Sequence, residues 1–352
     1  MCTGIRLTTT AAAVVHARTM EFAEEVRSDV IVIPRRYELV ATAPGGRPGM
    51  TWAASHAAVG TNSHGLPILI DGVNEHGLVA SAFYHPGYAE YQYVRPGDTS
   101  RTLSPADLPV WMLTRFATVD ALEAGLREVT VSAGVFGPWG FVPPLHYLVH
   151  DTTGRCMVVE YIDHQLKLHE NPLGVLTNAP EFDWHITNLR NYINLTATDV
   201  PKVALSGVKL LATGEGTGML GLPGDFTPPS RFVRAVAFSQ AALRVDTPEE
   251  AVQLAFHLLS NCEIPRGAVR SRYGDRVYCD YTQYTTAVDT ANRRFYFHTY
   301  GNRRVRMVDL MKMNLDADRL TTFPMESTED VQELMTPAWP SSGCPDGPRQ
   351  PA

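Results

Sequence analysis

Apolar and β-branched positions come in short runs through the first hundred residues, each bounded by glycine, proline or asparagine: GIRLTT, AVVHART, DVIVIP, TWAASHAAVG, LPILIDGV and GLVASAFY. Runs of this length and composition predict strands. The period then lengthens. Leu108, Met112, Leu113 and Phe116 recur at helical spacing after Ser104-Pro105, and Leu122, Leu126 and Val129 do so behind Thr118 as a cap. PLHYLVHD and CMVVEYI predict a hairpin that turns through 151–154, and FDWHITNLRNYINL predicts a helix entered just after Pro180. The stretch ATGEGTGMLGLPGD has the composition of an irregular loop. Two more helices are expected, one over 229–244 with Phe232, Ala235, Val236 and Ser239 on one face. The other opens at Thr247-Pro248-Glu249-Glu250, a capped and acidic start. DYTQYTTAVDT, RRFYFHTY and RRVRMVDL read as closing strands, and a Pro/Ser/Gly-rich tail follows Met325. Two batches of strands with the helices grouped between and after them predict an α+β layered fold rather than βαβ alternation. The expected organisation is one domain over 2–325 and a loose tail over 326–352.

Composition narrows the function. The 352 residues are 44% hydrophobic and 19% charged with a formal net charge of −7, and they lack the basic stripe expected of a nucleic-acid binder. No apolar run approaches the ~20 residues of a membrane span. The N-terminus lacks the basic-then-apolar layout of a secretory signal, so a cytoplasmic location is expected. The five cysteines are scattered with no C-x-x-C pair, which predicts neither a disulfide framework nor a zinc knuckle. Twelve histidines include no H-E-x-x-H, and the glycine-rich stretch lacks phosphate-loop spacing. No metal and no cofactor are therefore expected.

Cys2 is the residue with chemistry to offer. Removing Met1 would put a thiol and a free α-amine on one residue, with reference pKa values of about 8.5 and 7.7–8.0. Such an amine can serve as base to its own side chain, the logic of other N-terminal nucleophiles. The bland alternative is that Cys2 merely opens a strand. Arg18 and Glu21 lie in HARTMEF, expected to pair antiparallel with the first strand, which would bring Arg18 beside Cys2. A guanidinium there favours the thiolate, and the Glu21 carboxylate could orient the amine. Alone, both residues read more readily as an ordinary exposed ion pair.

MCTGIRL…ARTMEF, GVNEHGL, GVLTNAPEFDWHITNLRNY and GLPGDFTPPSRFVRA, in this order, resemble the choloylglycine hydrolase family. This family of N-terminal-nucleophile hydrolases includes bile-salt hydrolases and penicillin V acylases. The resemblance runs from Cys2 to about residue 310. It implies a four-layer αββα sandwich of two antiparallel sheets flanked by helices. It also implies an amidohydrolase in which Cys2 attacks the amide carbonyl to form a thioester, beside Arg18. Asn178 of LTNAP and the backbone N–H of Tyr84 would form the oxyanion hole, and Arg231 of PPSRF would complete the polar cluster. Glu21 stands where many relatives have aspartate. Tyr84 matches the residue typical of penicillin V acylases, where bile-salt hydrolases carry asparagine. Met20 and Tyr84, with Val135, Phe136, Trp139 and Phe141 of a substrate-lining loop, are the candidate substrate-binding residues. The small amphipathic acyl-amide substrate implied is a penicillin V-type amide first. A glycine- or taurine-conjugated bile acid comes next and an N-acyl homoserine lactone third; an inactive binding relative is the non-enzymatic alternative. The stretch 195–222 corresponds to a loop through which relatives form homotetramers.

Overall fold

Alternation at the start of the chain folds into a hairpin. Cys2–Thr8 (β1) pairs antiparallel with Val14–Phe22 (β2), setting Cys2 opposite Met20 and Gly4 opposite Arg18. The structure is a computed structural model that describes residues 1–95 and 97–334. β2 pairs on its other side with Arg276–Asp289, which continues through Arg294–Thr299 to Arg306–Asp309, while Val269–Tyr273 pairs with the start of the long strand. A second sheet has eight strands in the order Gln165–Glu170, Cys156–Ile162, Leu145–His150, Val79–Tyr84, Asp71–Asn74, Ala58–Thr61, Asp29–Ile33 and Thr321–Pro324. Every neighbouring pair in both sheets is antiparallel.

Among the described residues five α-helices flank the sheets. Leu108–Arg115 (α1) packs on the eight-stranded sheet and is followed by Val119–Leu126 (α2), whose cap Thr118 accepts from the Ala121 N–H at 3.2 Å. Phe182–Asn188 (α3) touches Pro228–Ala241 (α4), and α4 packs with Pro248–Ser260 (α5) against the sheet that holds β1 and β2. The start of α5 is a capping box in which Thr247 and Glu250 satisfy each other's backbone N–H. The order helix, sheet, sheet, helix is the four-layer αββα sandwich of an α+β fold.

Several expectations change in detail. TWAASHAAVG divides into Arg47–Ala53, paired with Glu38–Ala43, and Ala58–Thr61 of the large sheet. In LPILIDGV only the last residues form a strand, Asp71–Asn74; Ile68 to Ile70 is irregular and lines a cavity. The helix after Pro180 ends at Asn188 and tightens into a 3-10 turn, Leu189–Tyr192. Within 195–222 a short hairpin forms from Val203–Leu205 and Val208–Leu210. Among the described residues past Met325 there is no regular element, yet the chain is tied down: Thr299 and Asn302 donate to the carbonyls of Glu326 and Thr328, and Arg304 pairs with Asp330. The rest of the expected tail, 335–352, lies outside the described residues.

Period two decides which side chains meet between the sheets. A Cβ on Gly4 would lie 2.5 Å from Cζ of Phe83 on Val79–Tyr84, so the even-numbered face of β1 points at the second sheet. On β2 the same face carries His16 and Arg18, which bond Ser81 and Ala82 across the gap. Gly4→Ala must part the sheets next to Cys2; it is expected to cost about 1–3 kcal/mol in urea unfolding, the range for overpacking.

His16 lies fully buried in that gap, its Nε2 2.9 Å from Ser81 Oγ and its Nδ1 2.8 Å from Nε2 of His150. Burial, with Arg18 nearby, lowers its pKa from 6.5 to about 3, and burial also pushes His150 well down. The unfolded chain therefore takes up protons that the fold refuses. Stability from these groups is complete above pH 6.5 and is lost as pH falls towards about 3. Urea unfolding between about pH 7 and 4 should show this decline, with a shallower slope in His16→Gln.

Candidate active site

The hairpin register brings the thiol and a guanidinium together. Cys2 is only 2% exposed, and Nη2 of the fully buried Arg18 donates to its Sγ at 2.8 Å. Arg18 also donates through Nη1 to the carbonyl of Ala82 at 2.8 Å and lies 4.9 Å from the ring centroid of Phe83, so it spans both sheets. Burial works against its charge, but Cys2, Asp71, Tyr284 and Glu21 outweigh burial and raise its pKa above the ordinary value. Asp71 is buried between Thr61 and Thr286, both of which donate to it. Its pKa is raised by burial and opposed by Arg18. Sequence reading missed Asp71; the only signal was a lone acid in the apolar run ILIDGV.

From the helix side a second buried guanidinium closes on the same residue. Arg231, in the first turn of α4, donates through Nη1 to the Cys2 carbonyl and, at 2.7 Å, to Thr3 Oγ1. Its Nη2 donates to Oδ1 of Asn178 at 2.7 Å, and that oxygen also accepts from the Cys2 backbone nitrogen at 2.8 Å. Nδ2 of Asn178 donates to the Tyr84 carbonyl at 2.7 Å. An amide nitrogen carries two hydrogens, and the second has no protein acceptor among the described residues. Cys2, Arg18, Asn178, Arg231 and Tyr84 thus meet in one place.

With Met1 ahead of Cys2, the Glu21 backbone pairs with that of Met1. The carboxylate bonds Thr282 Oγ1 at 2.8 Å, and Oε2 is buried without a partner. The Cys2 nitrogen is held by Asn178 rather than by Glu21. Residues three apart on a strand point to opposite faces, so Glu21 turns away from the face of Arg18. Burial raises its pKa, with Arg231 opposing.

Above the thiol lies a cavity, open to solvent, lined by Cys2, Met20, Tyr84, Phe136 and Trp139, together with Phe22, Val26 and Ile68 to Ile70. Its wall is a run of aromatic contacts: Tyr84 meets Phe22 edge-on at 5.5 Å, Phe22 stacks on Trp139 at 4.9 Å, and Trp139 stacks on Phe141 at 5.6 Å. Two expected lining residues stand outside. The loop pinches at the bridge between Phe136 and Phe141, which leaves Val135 exposed on the outer side and Phe141 exposed behind Trp139. Among the described residues, the two groups of side chains close enough together to hold a metal ion do not include Cys2. His56, Glu75 and His76 come close, but Glu75 is engaged by Arg35 and the Ala57 N–H. His85, His146 and Glu160 also converge, with the two rings parallel to within 3° at 4.1 Å. Lone pairs lie in the ring planes, so parallel stacked imidazoles do not aim at one ion.

If Arg18 sustains the reactivity of the thiol, Arg18→Leu should slow iodoacetamide alkylation of Cys2 by about tenfold or more near pH 7, read by peptide mass. An unchanged rate would remove Arg18 from thiol activation.

Comparison with known proteins agrees with this geometry. Residues 2–323 match the model of linear amide C–N hydrolases of the choloylglycine hydrolase family. The chain is 31% identical over 340 residues to the bile salt hydrolase/transferase of Clostridium perfringens, covering 95% of this chain and 100% of that one. It is 24% identical over 339 residues to the penicillin V acylase of Pectobacterium atrosepticum, covering 89% and 83%. The crystal structure of the C2A mutant of conjugated bile acid hydrolase from Clostridium perfringens superposes with a TM-score of 0.84 at 29% identity, covering 95% of this chain and 100% of that one. With the sandwich, the terminal cysteine and the matched span in agreement, the chain belongs to the choloylglycine hydrolase family and is a hydrolase of linear amide C–N bonds.

Proposed function

We propose that the enzyme, once freed of Met1, cleaves amides of small aromatic acyl groups in the manner of a penicillin V acylase. The observation that carries this reading is the Arg18 guanidinium 2.8 Å from Cys2 Sγ at the floor of an aromatic-walled cavity. Cys2 attacks the amide carbonyl, and its α-amine takes the thiol proton and returns it to the leaving amine. The tetrahedral oxyanion is met by the second N–H of Asn178 and by the backbone of Tyr84. Such a fixed donor is worth about 2.7–4 kcal/mol in a water-poor site. Arg231 holds the Cys2 carbonyl and the Asn178 oxygen, so the nucleophile and its oxyanion donor share one anchor. Glu21, with one oxygen unpartnered behind β2, supplies the buried negative charge that Arg231 and the new amine require. Water then hydrolyses the thioester with the same amine as base.

The flat rings of Phe22, Trp139 and Tyr84 favour an aryl acyl group. A second reading, glycine- or taurine-conjugated bile acids, is favoured by the 31% identity to a bile salt hydrolase/transferase along 95% of the chain. Residues 2–325 serve as one catalytic domain in this reading. A homotetramer is supported by the exposed Val203, Leu205, Val208, Leu210 and Leu211 on and beside the protruding hairpin, apolar surface that a partner copy would cover. A cytoplasmic location is supported by four free cysteines among the described residues. No described helix is long and apolar enough to cross a membrane.

One panel tests the reading: penicillin V, glycine- and taurine-conjugated bile acids and long-chain N-acyl homoserine lactones, each at matched concentration, with the N-terminus of the enzyme verified by mass. Penicillin V should turn over fastest, Cys2→Ala should turn over nothing, and Asn178→Ala should lose about 10²–10³ in kcat. Turnover by Cys2→Ala would sink the mechanism. Turnover of bile conjugates alone would replace the aryl-acyl reading by the second one.

A further inference from the structure

Behind Asn178, on the side away from the cavity, lies a buried cluster that the reaction itself does not use. Glu160, on Cys156–Ile162, is fully buried, and its ion-pair partners among the described residues are all histidines. Its Oε1 accepts from Nδ1 of His146 at 2.9 Å, and its two oxygens lie 3.1 and 3.3 Å from the backbone N–H of Phe182, the first residue of α3. His169 approaches Oε2 at 3.5 Å, with Asp183 and Lys167 beyond it. Burial opposes its charge, yet the histidines hold its pKa below the usual carboxylate range.

The cluster reaches Asn178 through the main chain. Nε2 of His146 donates to the carbonyl of Thr177 at 3.2 Å, and Nε2 of His185 donates to the carbonyl of Asn178 at 2.9 Å. These carbonyls belong to the two peptide groups flanking the Asn178 Cα, so each plane is pinned by one imidazole. His146 lies between two acceptors, the Glu160 carboxylate and the Thr177 carbonyl, so its ring bridges the buried charge to the backbone. His185 in turn sits in α3, whose first N–H is held by Glu160. The other arm of the site is backed too: His85, next to Tyr84, stacks on His146.

We propose that Glu160 is a positioning residue: through His146 and the start of α3 it fixes the backbone on both sides of Asn178, and with it the direction of the amide beside Cys2. The proposal rests on the reading of Asn178 as the oxyanion donor. A carboxylate that merely stabilised α3 would affect folding, not the chemical step.

Glu160→Gln keeps the shape and removes the charge. Its kcat should fall about 10–100-fold with KM within about threefold, the cost of a misdirected group. Iodoacetamide alkylation of Cys2 builds no oxyanion, so its rate should stay within about twofold of wild type. In an Asn178→Ala background the same substitution should remove less than a further threefold or so, because residues acting through one group are not additive. Independent, multiplying losses would overturn the proposal. So would an equal fall in turnover and alkylation, or an unchanged kcat in Glu160→Gln while Asn178→Ala loses activity. If Asn178→Ala itself kept full kcat, the oxyanion reading would fall and this proposal with it. Should Glu160→Gln not fold, His146→Gln carries the same comparison with the same outcomes.

Discussion

The structure is organised around a guanidinium that water cannot reach. Arg18 has no exposed surface, so its acceptors must all come from the protein: the Cys2 sulfur, the Ala82 carbonyl of the facing sheet and the Thr19 carbonyl of its own strand. Burying such a charge is costly unless it is compensated, and compensation here is spread over Asp71, Glu21 and the nucleophile itself. The close approach of the sheets at Gly4 and Ala82 follows from that need, since a larger side chain at Gly4 would part them. Placing the thiol among the partners of this guanidinium ties Cys2 to a side chain that bonds both sheets.

Alternation along two strands then divides the labour around Cys2. The even-numbered residues of β1 and β2 look between the sheets and supply the thiol, Arg18 and the cavity floor at Met20. The odd-numbered residues look towards the helices and supply Thr3 and Glu21, where Arg231 arrives from α4. One residue is therefore gripped from both faces, its sulfur by one guanidinium and its carbonyl by the other.

What the sequence made legible was what is local in the chain. The run HARTMEF and the expected antiparallel pairing of the first two strands were enough to place Arg18 against Cys2. The same alternation, carried three residues further, would also have turned Glu21 to the opposite face. The helices and most strands were readable because periods two and 3.6 are local signals, whereas Glu38–Ala43, Gln165–Glu170, Val269–Tyr273 and Thr321–Pro324 went unread. By contrast Ile68 to Ile70 has the composition of a strand but lies in a loop over the cavity, because pairing rather than propensity decides what becomes a strand. Val135 fell outside because a bridge between Phe136 and Phe141 redirects the loop, a contact no spacing announces. Glu160, His85, His146, His169 and His185 come from five separate segments, so their meeting leaves no mark along the chain.

Tyr84 joins selectivity to chemistry. Its carbonyl holds the Asn178 amide at 2.7 Å, while its ring leans on Phe22 and, through Phe22, on Trp139. An acyl group that fills the cavity without moving this stack leaves Asn178 aimed at the thiol. In the proposed mechanism, one that pushes Phe22 or Trp139 aside would transmit the displacement through Tyr84 to Asn178, and an oxyanion donor at the wrong angle loses strength in the transition state more than in the bound substrate. Discrimination between acyl groups is thereby placed in kcat as well as in KM. On that proposal the aromatic wall would be the lever by which a well-fitting substrate keeps the site correctly set, beyond a hydrophobic surface for binding.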